Sequence, residues 1–204
     1  MLAGDPTRHG TAAEAEVVAA EFGPAPVPVV AVLGNHDLHS DDAAGVTAAL
    51  EAGGICVLEG SGTVLAVDGV RLGVAGTVGF GGGFPRGTVA DFGEPEMKAF
   101  AARGRTLAAG LGEALHGLDC DVRVALTHYA PVAGTLEGEP REIYPFLGSH
   151  LLADVIDSCD VALALHGHAH AGSPDGRTPG GVPVHNVARP VLRAPYRIFE
   201  VSGG

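Results

Sequence analysis

The sequence predicts an α/β layered domain with a sheet core. Short apolar runs of strand character alternate with helical stretches, first as βα units and then in a mixed order. Several of these runs stop at polar loops carrying metal-ligand side chains, which is where sites sit in such folds. No linker-like shift in composition and no internal repeat interrupts the 204 residues, so a single domain over 1–204 is expected.

Each element has a local reason. Leu2-Ala3 is the tail of a strand running into Gly4-Asp5. Thr11–Phe22 reads as a helix, with Thr11 as cap, Glu14 completing a capping box, and Val17, Val18 and Phe22 on one face. Pro24, Pro26 and Pro28 separate it from the strand Val29–Leu33. A helix over Asp42–Ala52 ends at Gly53-Gly54. Strands follow at Ile55–Leu58, Thr63–Val67 and Arg71–Ala75, with Asp68-Gly69 as a hairpin turn between the last two. Gly79–Gly83 lacks phosphate-loop spacing and reads as a flexible connection. Glu94–His116 is a long helix weakened by Gly104, Gly110 and Gly112. Val122–Leu126 is a strand, Gly134–Gly148 a polar loop, Ser149–Ser158 a helix and Val161–Leu165 a strand. Val182–Val187 and Tyr196–Val201 close the chain as strands.

Bulk properties narrow the function. The chain is 46% hydrophobic and 18% charged, which is globular rather than disordered. No apolar run approaches the roughly 20 residues that span a bilayer, and no secretory signal is visible, so no membrane partner and a cytoplasmic location are expected. Twelve Lys+Arg against 24 Asp+Glu give a net charge of −12, with no basic stripe to bind a nucleic-acid backbone. The three cysteines are scattered, with no Cys-x-x-Cys pair, and read as reduced thiols.

The ten histidines carry more, because three fall within His166–His170. Four strand-like runs end at good ligands: Asp5, then Asn35 and His36, then His128, then His168 and His170. Imidazole nitrogen, carboxylate oxygen and an amide carbonyl suit Zn, Mn, Fe and similar cations without any thiolate. A carboxylate can bridge two cations, and such mixtures are typical of two-metal hydrolytic sites. The period-two spacing of His168 and His170 puts both on one side of an extended segment. Each residue also has a plainer role. Asp5 can be a solvated terminal residue, Asn35 a turn former, Asp37 a helix cap and His128 a packed core histidine. His166 is expected in packing or behind the ligands. Tyr129, Arg86 and Arg141 are candidate substrate contacts without a distinguishing spacing, and His185-Asn186, which follows a strand, is a candidate for the pocket lining.

The motifs Gly4-Asp5, Gly34-Asn35-His36-Asp37, Thr127-His128 and Gly167-His168-Ala169-His170 occur in the order found in the calcineurin-like metallophosphoesterases. The chain resembles that superfamily over essentially its whole length. The resemblance implies a four-layer αββα sandwich of two mixed sheets flanked by helices, with a dinuclear site at the strand ends. It implies Asp5 as the carboxylate bridging both metals, Asn35, His128 and His168 as ligands of the second, and His170 as a ligand of the first. His36 corresponds to the histidine that faces the substrate and assists the leaving oxygen. Asp37 is expected to hold and charge that ring.

The superfamily's opening Asp-x-His motif has no counterpart before Asp5. The expectation is therefore an N-terminally truncated domain lacking its first strand, with an incomplete first-metal site. The expected function is phosphomonoester or phosphodiester hydrolysis by a metal-activated water, with two divalent cations (Mn, Fe, Zn or similar). The substrate is a small-molecule or protein phosphoester. The alternative is a catalytically impaired mononuclear metal-binding module or a fragment.

Overall fold

In the computed structural model, which describes residues 1–202, two sheets lie face to face between helices. The smaller sheet contains β1 (Leu2–Ala3), β2 (Val29–Val32) and β3 (Ile55–Val57), in that order and wholly parallel. Two helices connect these strands, α1 (Ala12–Phe22) and α2 (Ala43–Ala52). The larger sheet is mixed. It draws on β4 (Ser61–Val67), β5 (Val70–Thr77), β8 (Val122–Thr127), β9 (Leu163–His166), β10 (Asp175–Arg177) and β11 (Pro183–Asn186), in the order β10-β11-β9-β8-β5-β4. Its four inner strands are parallel and its two edge strands antiparallel. A two-stranded ribbon, β6 (Gly83–Phe84) with β7 (Gly87–Thr88), stands apart from both sheets. Helix α3 (Pro95–Gly117), the short α4 (Tyr144–Leu147), α5 (His150–Asp157) and the short α6 (Arg189–Leu192) complete the chain.

Three apolar layers hold these parts. Ala15, Ala31, Val46, Leu50 and Ile55 seal α1 and α2 onto the small sheet. Val30, Val32, Val74, Val124, Leu126 and Leu165 fill the space between the sheets. Leu111, Leu115, Leu152, Ile156 and Ala164 seal α3 and α5 onto the large sheet. The result is the expected α/β sandwich of four layers. No helix among the described residues is long and apolar enough to cross a membrane.

The hairpin turn forms as its residues require: Asp68 and Gly69 both take positive φ, +50° and +83°, and Val67 pairs with Val70. Three expectations need correction, while the expected long helix forms as α3. Helix α1 turns Ala15 and Ala19 inward, while Val17 is 69% exposed, because α2 approaches so closely that only small side chains fit. Helix α3 runs unbroken through its glycines: Gly112 is the point where Val155 of α5 comes closest. Tyr196–Val201 forms no strand. Strand β10 already occupies the edge beside β11, and Ile198 is 77% exposed, so the alternation there has no face to bury. The stretch Gly79–Gly83 is buried for most of its length and bonded at both ends, with Gly79 N–H donating to Thr77 Oγ1 at 3.2 Å. Gly82 N–H donates to the Pro145 carbonyl at 2.7 Å and Gly83 N–H to that of Gly148 at 2.9 Å.

Candidate metal centre

Strands β1, β2, β8 and β9 all end on the same side of the sandwich, and four of the sequence candidates meet there. The turn after β1 is forced by Gly4, whose φ is +85° and whose missing Cβ would stand 2.2 Å from the His128 ring. That turn aims Asp5 across the top of β2. Its Oδ1 accepts the His36 backbone N–H at 2.9 Å. Its Oδ2 lies 3.4 Å from His128 Nε2. Asn35 Oδ1 lies 2.9 Å from the same nitrogen.

Proton bookkeeping gives this cluster its meaning. His128 Nδ1–H donates to the Ala3 carbonyl at 3.0 Å, so in the neutral ring Nε2 is a bare lone pair. Burial pushes the His128 pKa down to about 4, so the ring is neutral at pH 7. With Asp5 ionised, three lone-pair atoms, Asp5 Oδ2, Asn35 Oδ1 and His128 Nε2, converge. Divalent cations of the Zn class bond N and O at about 2.0–2.2 Å, which spaces neighbouring ligands by about 3.0–3.4 Å. The donor set fits a cation in both chemistry and spacing.

His168 adds a ring to the same wall. It takes a positive φ of +66°, and its centroid lies 4.8 Å from that of His128 and 4.4 Å from that of Tyr129. Its Nε2–H donates to the Phe146 carbonyl at 3.3 Å, which leaves Nδ1 as its lone pair. Burial pushes its pKa to about 4. His170 is exposed, and it acts electrostatically on both Asp5 and His128. Burial raises the Asp5 carboxyl, against the opposing pull of the His36 N–H and of His36, His168 and His170. Among the described residues, no three His, Cys, Asp or Glu close into a ready metal cage. The convergent trio includes an amide, Asn35, and His168 spends one nitrogen on a carbonyl.

His36 is exposed, with Nδ1–H donated to the Arg8 carbonyl at 2.9 Å. Asp37 does not hold that ring, which corrects the sequence expectation. Its carboxylate is fully buried and committed elsewhere: Oδ1 accepts Thr7 N–H at 2.9 Å and Thr7 Oγ1–H at 2.5 Å, and Oδ2 accepts Gly34 N–H at 2.7 Å. Asp37 is the clamp that ties the β1 turn to the β2 turn, bringing Asp5 beside Asn35. Its partner Thr7 was missed, since a lone threonine after proline carries no signal in sequence. His166 lies behind the site, fully buried, with Nδ1–H on the Gly167 carbonyl at 2.8 Å and Nε2 on Thr135 Oγ1 at 2.8 Å. Burial pushes its pKa to about 3.

The family model of the calcineurin-like phosphoesterases matches residues 1–172. The chain belongs to that family. A phosphoester hydrolase role follows from this membership, and the strand-end cluster lies wholly within the matched residues. Among solved structures, this phosphoesterase resembles the phosphopantetheinyl hydrolase of Mycobacterium tuberculosis, with a TM-score of 0.68 at 15% identity. That match covers 91% of this chain and 77% of the other. A putative 5′-nucleotidase from Staphylococcus aureus, in complex with alpha-ketoglutarate, matches with a TM-score of 0.52 at 13% identity. There the phosphoesterase is covered over 85% of its length and spans 34% of the other chain. At these identities the likeness is one of fold. No curated protein sequence matches the chain.

Proposed function

We propose that the chain is a metal-dependent phosphoesterase using two divalent cations of the Mn, Fe or Zn type. Asp5, Asn35, His128 and His168 would hold the second cation, and Asp5 with His170 the first. The observation that carries this reading is the meeting of three lone-pair atoms at 2.9 and 3.4 Å around His128 Nε2. Bound cations would supply Lewis-acid polarisation of a phosphoryl oxygen and a water of lowered pKa. The chain's own residues do the rest. Ala3 and Phe146 carbonyls fix the tautomers of His128 and His168 so that each presents a lone pair. The Arg8 carbonyl holds Nδ1–H of His36 and leaves Nε2 as the nitrogen free to act, so only the doubly protonated ring can pass a proton from Nε2 to the departing alkoxide, and it is left as the neutral ring. The fold neighbours, one a phosphopantetheinyl hydrolase and the other described as a 5′-nucleotidase, support a small-molecule phosphoester over a phosphoprotein.

The test is hydrolysis of an aryl phosphomonoester and an aryl phosphodiester by the chain loaded with Mn²⁺, alongside metal counted per chain. Turnover with two equivalents is expected. The reading fails if neither ester is cleaved at saturating metal. The second reading, a mononuclear binding module, draws on the first-cation set, for which this chain offers only Asp5 and His170. One tightly held equivalent without turnover would establish it.

A further inference from the structure

The chain holds only seven Phe and three Tyr, yet four of these ten rings form one connected row that begins at the metal centre. The His168 ring lies 4.4 Å from Tyr129, Tyr129 lies 5.9 Å from Phe80, and Phe80 lies 4.7 Å from Phe100. Phe100 meets Phe146 edge-on at 6.3 Å, and the Phe146 carbonyl returns to His168. The row is not a core. Tyr129, Phe80 and Phe100 are only half-buried and Phe146 is 59% exposed.

Its support is rigid. Phe80 sits on the Gly79–Gly83 segment, which is pinned to Pro145 and Gly148 by backbone hydrogen bonds. A Cβ on Gly81 would stand 2.4 Å from the Pro145 carbonyl oxygen and 3.1 Å from the tip of Phe100, so the close fit of these three segments depends on glycine there. The rings are therefore held in place before any ligand arrives. Arg103 completes the row, with its guanidinium 5.1 Å from the Phe80 centroid. Among the described residues Arg103 has no carboxylate partner, as is true of most of the arginines, but it is the one of these that lies over a ring of this row. In a chain of net charge −12, an exposed, unpaired guanidinium beside a candidate phosphoester site is available to a ligand.

We propose that Tyr129, Phe80, Phe100 and Phe146, with Arg103, form the leaving-group subsite and accept a phosphoester whose alcohol carries a planar ring of the nucleoside kind. This rests on the phosphoester reading above. Aromatic faces stack on bases whatever their sequence, and a guanidinium stacks on a ring while donating to its acceptor atoms. An aliphatic alcohol would gain only contact area from the same wall.

The discriminating pair of ligands is adenosine 5′-monophosphate and ribose 5-phosphate, which differ only in the base. Calorimetric titration of the 204-residue chain, with Mn²⁺ and again with chelator, gives the ratio of their dissociation constants. Adenosine 5′-monophosphate is expected to bind about tenfold tighter or better, the range of one base stacked on aromatic side chains. Phe146→Ala should bring the ratio to within about threefold, and Phe146→Tyr should restore it. Arg103→Met, at an exposed helix position, should lower the ratio without disturbing the fold. Equal affinity for the two ligands, no binding of the nucleotide at millimolar concentration, or a ratio that survives Phe146→Ala overturns the proposal. A preserved ratio with no hydrolysis of either ligand would sink the hydrolase reading and leave the subsite standing. Hydrolysis of both with equal affinity would do the reverse.

Discussion

Replacing Asp37 by Asn separates a structural clamp from a catalytic carboxylate. The Asp37 carboxylate accepts three hydrogen bonds in a fully buried position, from Thr7 N–H, Thr7 Oγ1–H and Gly34 N–H. An asparagine has one acceptor oxygen. If it serves Thr7, the amide nitrogen faces the Gly34 N–H across what is now a 2.7 Å contact, donor against donor. A buried donor left unsatisfied costs about 1–3 kcal/mol, and the remaining bonds lose their charge assistance, at about 1 kcal/mol. An opposing effect trims the total. Burial raises the Asp37 carboxyl, so the charge itself is costly and the neutral amide escapes that cost. The lower end, about 2 kcal/mol, is therefore expected. For a chain of 204 residues, that corresponds to about 4–8 °C in Tm. Thermal unfolding followed by circular dichroism measures it, and Thr7→Val in a double-mutant cycle should show coupling of about 1 kcal/mol or more. The reasoning is refuted if Asp37→Asn leaves Tm within about 1 °C while kcat falls 100-fold or more. That pattern would mean that the carboxylate acts on chemistry through His36 after all.

His36→Ala should lower kcat by about 10²–10⁴ with the metal content per chain unchanged, measured by atomic absorption beside steady-state kinetics. Gly34→Ala places a Cβ 2.1 Å from Asp5 Oδ1 and 2.5 Å from the Asp5 backbone nitrogen, so Mn²⁺ affinity should fall at least tenfold by calorimetric titration. In chelator, acid should unfold the chain early. His128, His166 and His168 have pKa values lowered by burial from 6.5 to about 4, 3 and 4, so their contribution is complete above pH 6.5 and is lost as pH falls from 6.5 toward 4. Urea midpoints that stay flat between pH 7 and pH 4.5 would contradict this. Amide exchange at Gly82 and Gly83 should be protected rather than fast, since both N–H groups are donated to carbonyls across the loop.

What could be read from sequence follows the range of the interactions involved. Strands β2, β8 and β9 announce themselves because each is a buried run bounded by polar residues, and the candidate ligands follow immediately at Asn35, His128 and His168. A short motif at a strand end needs only local geometry to place it. Asp37 needed more. Gly-Asn-His-Asp puts it beside His36 in sequence, but its partner Thr7 lies 30 residues away, and that contact exists only once β1 has paired with β2. The aromatic row is further out of reach, because Phe80, Phe100, Tyr129 and Phe146 come from four separate segments. Helix α1 illustrates a different limit. Its apolar stripe through Val17 and Phe22 is the obvious inward face, yet close approach to α2 selects the small residues Ala15 and Ala19.

The physical case for a cation rests on a conflict that folding alone does not resolve. The contacts that build the junction between the two sheets are well made: Ala3 carbonyl to His128 Nδ1–H, His36 N–H to Asp5, Gly34 N–H to Asp37. No buried side-chain polar atom among the described residues lacks a partner. Yet those same contacts orient a carboxylate oxygen, an amide oxygen and an imidazole lone pair toward one another, and burial withholds the proton that would relieve them at His128. Packing a core does not call for such an arrangement, since one glutamine or protonated group would satisfy the trio. Local rules that agree everywhere except at one spot mark that spot as functional. A divalent cation, as proposed above, would satisfy all three atoms, and in that reading the clamp by Asp37 and the tautomer set by Ala3 are parts of one device.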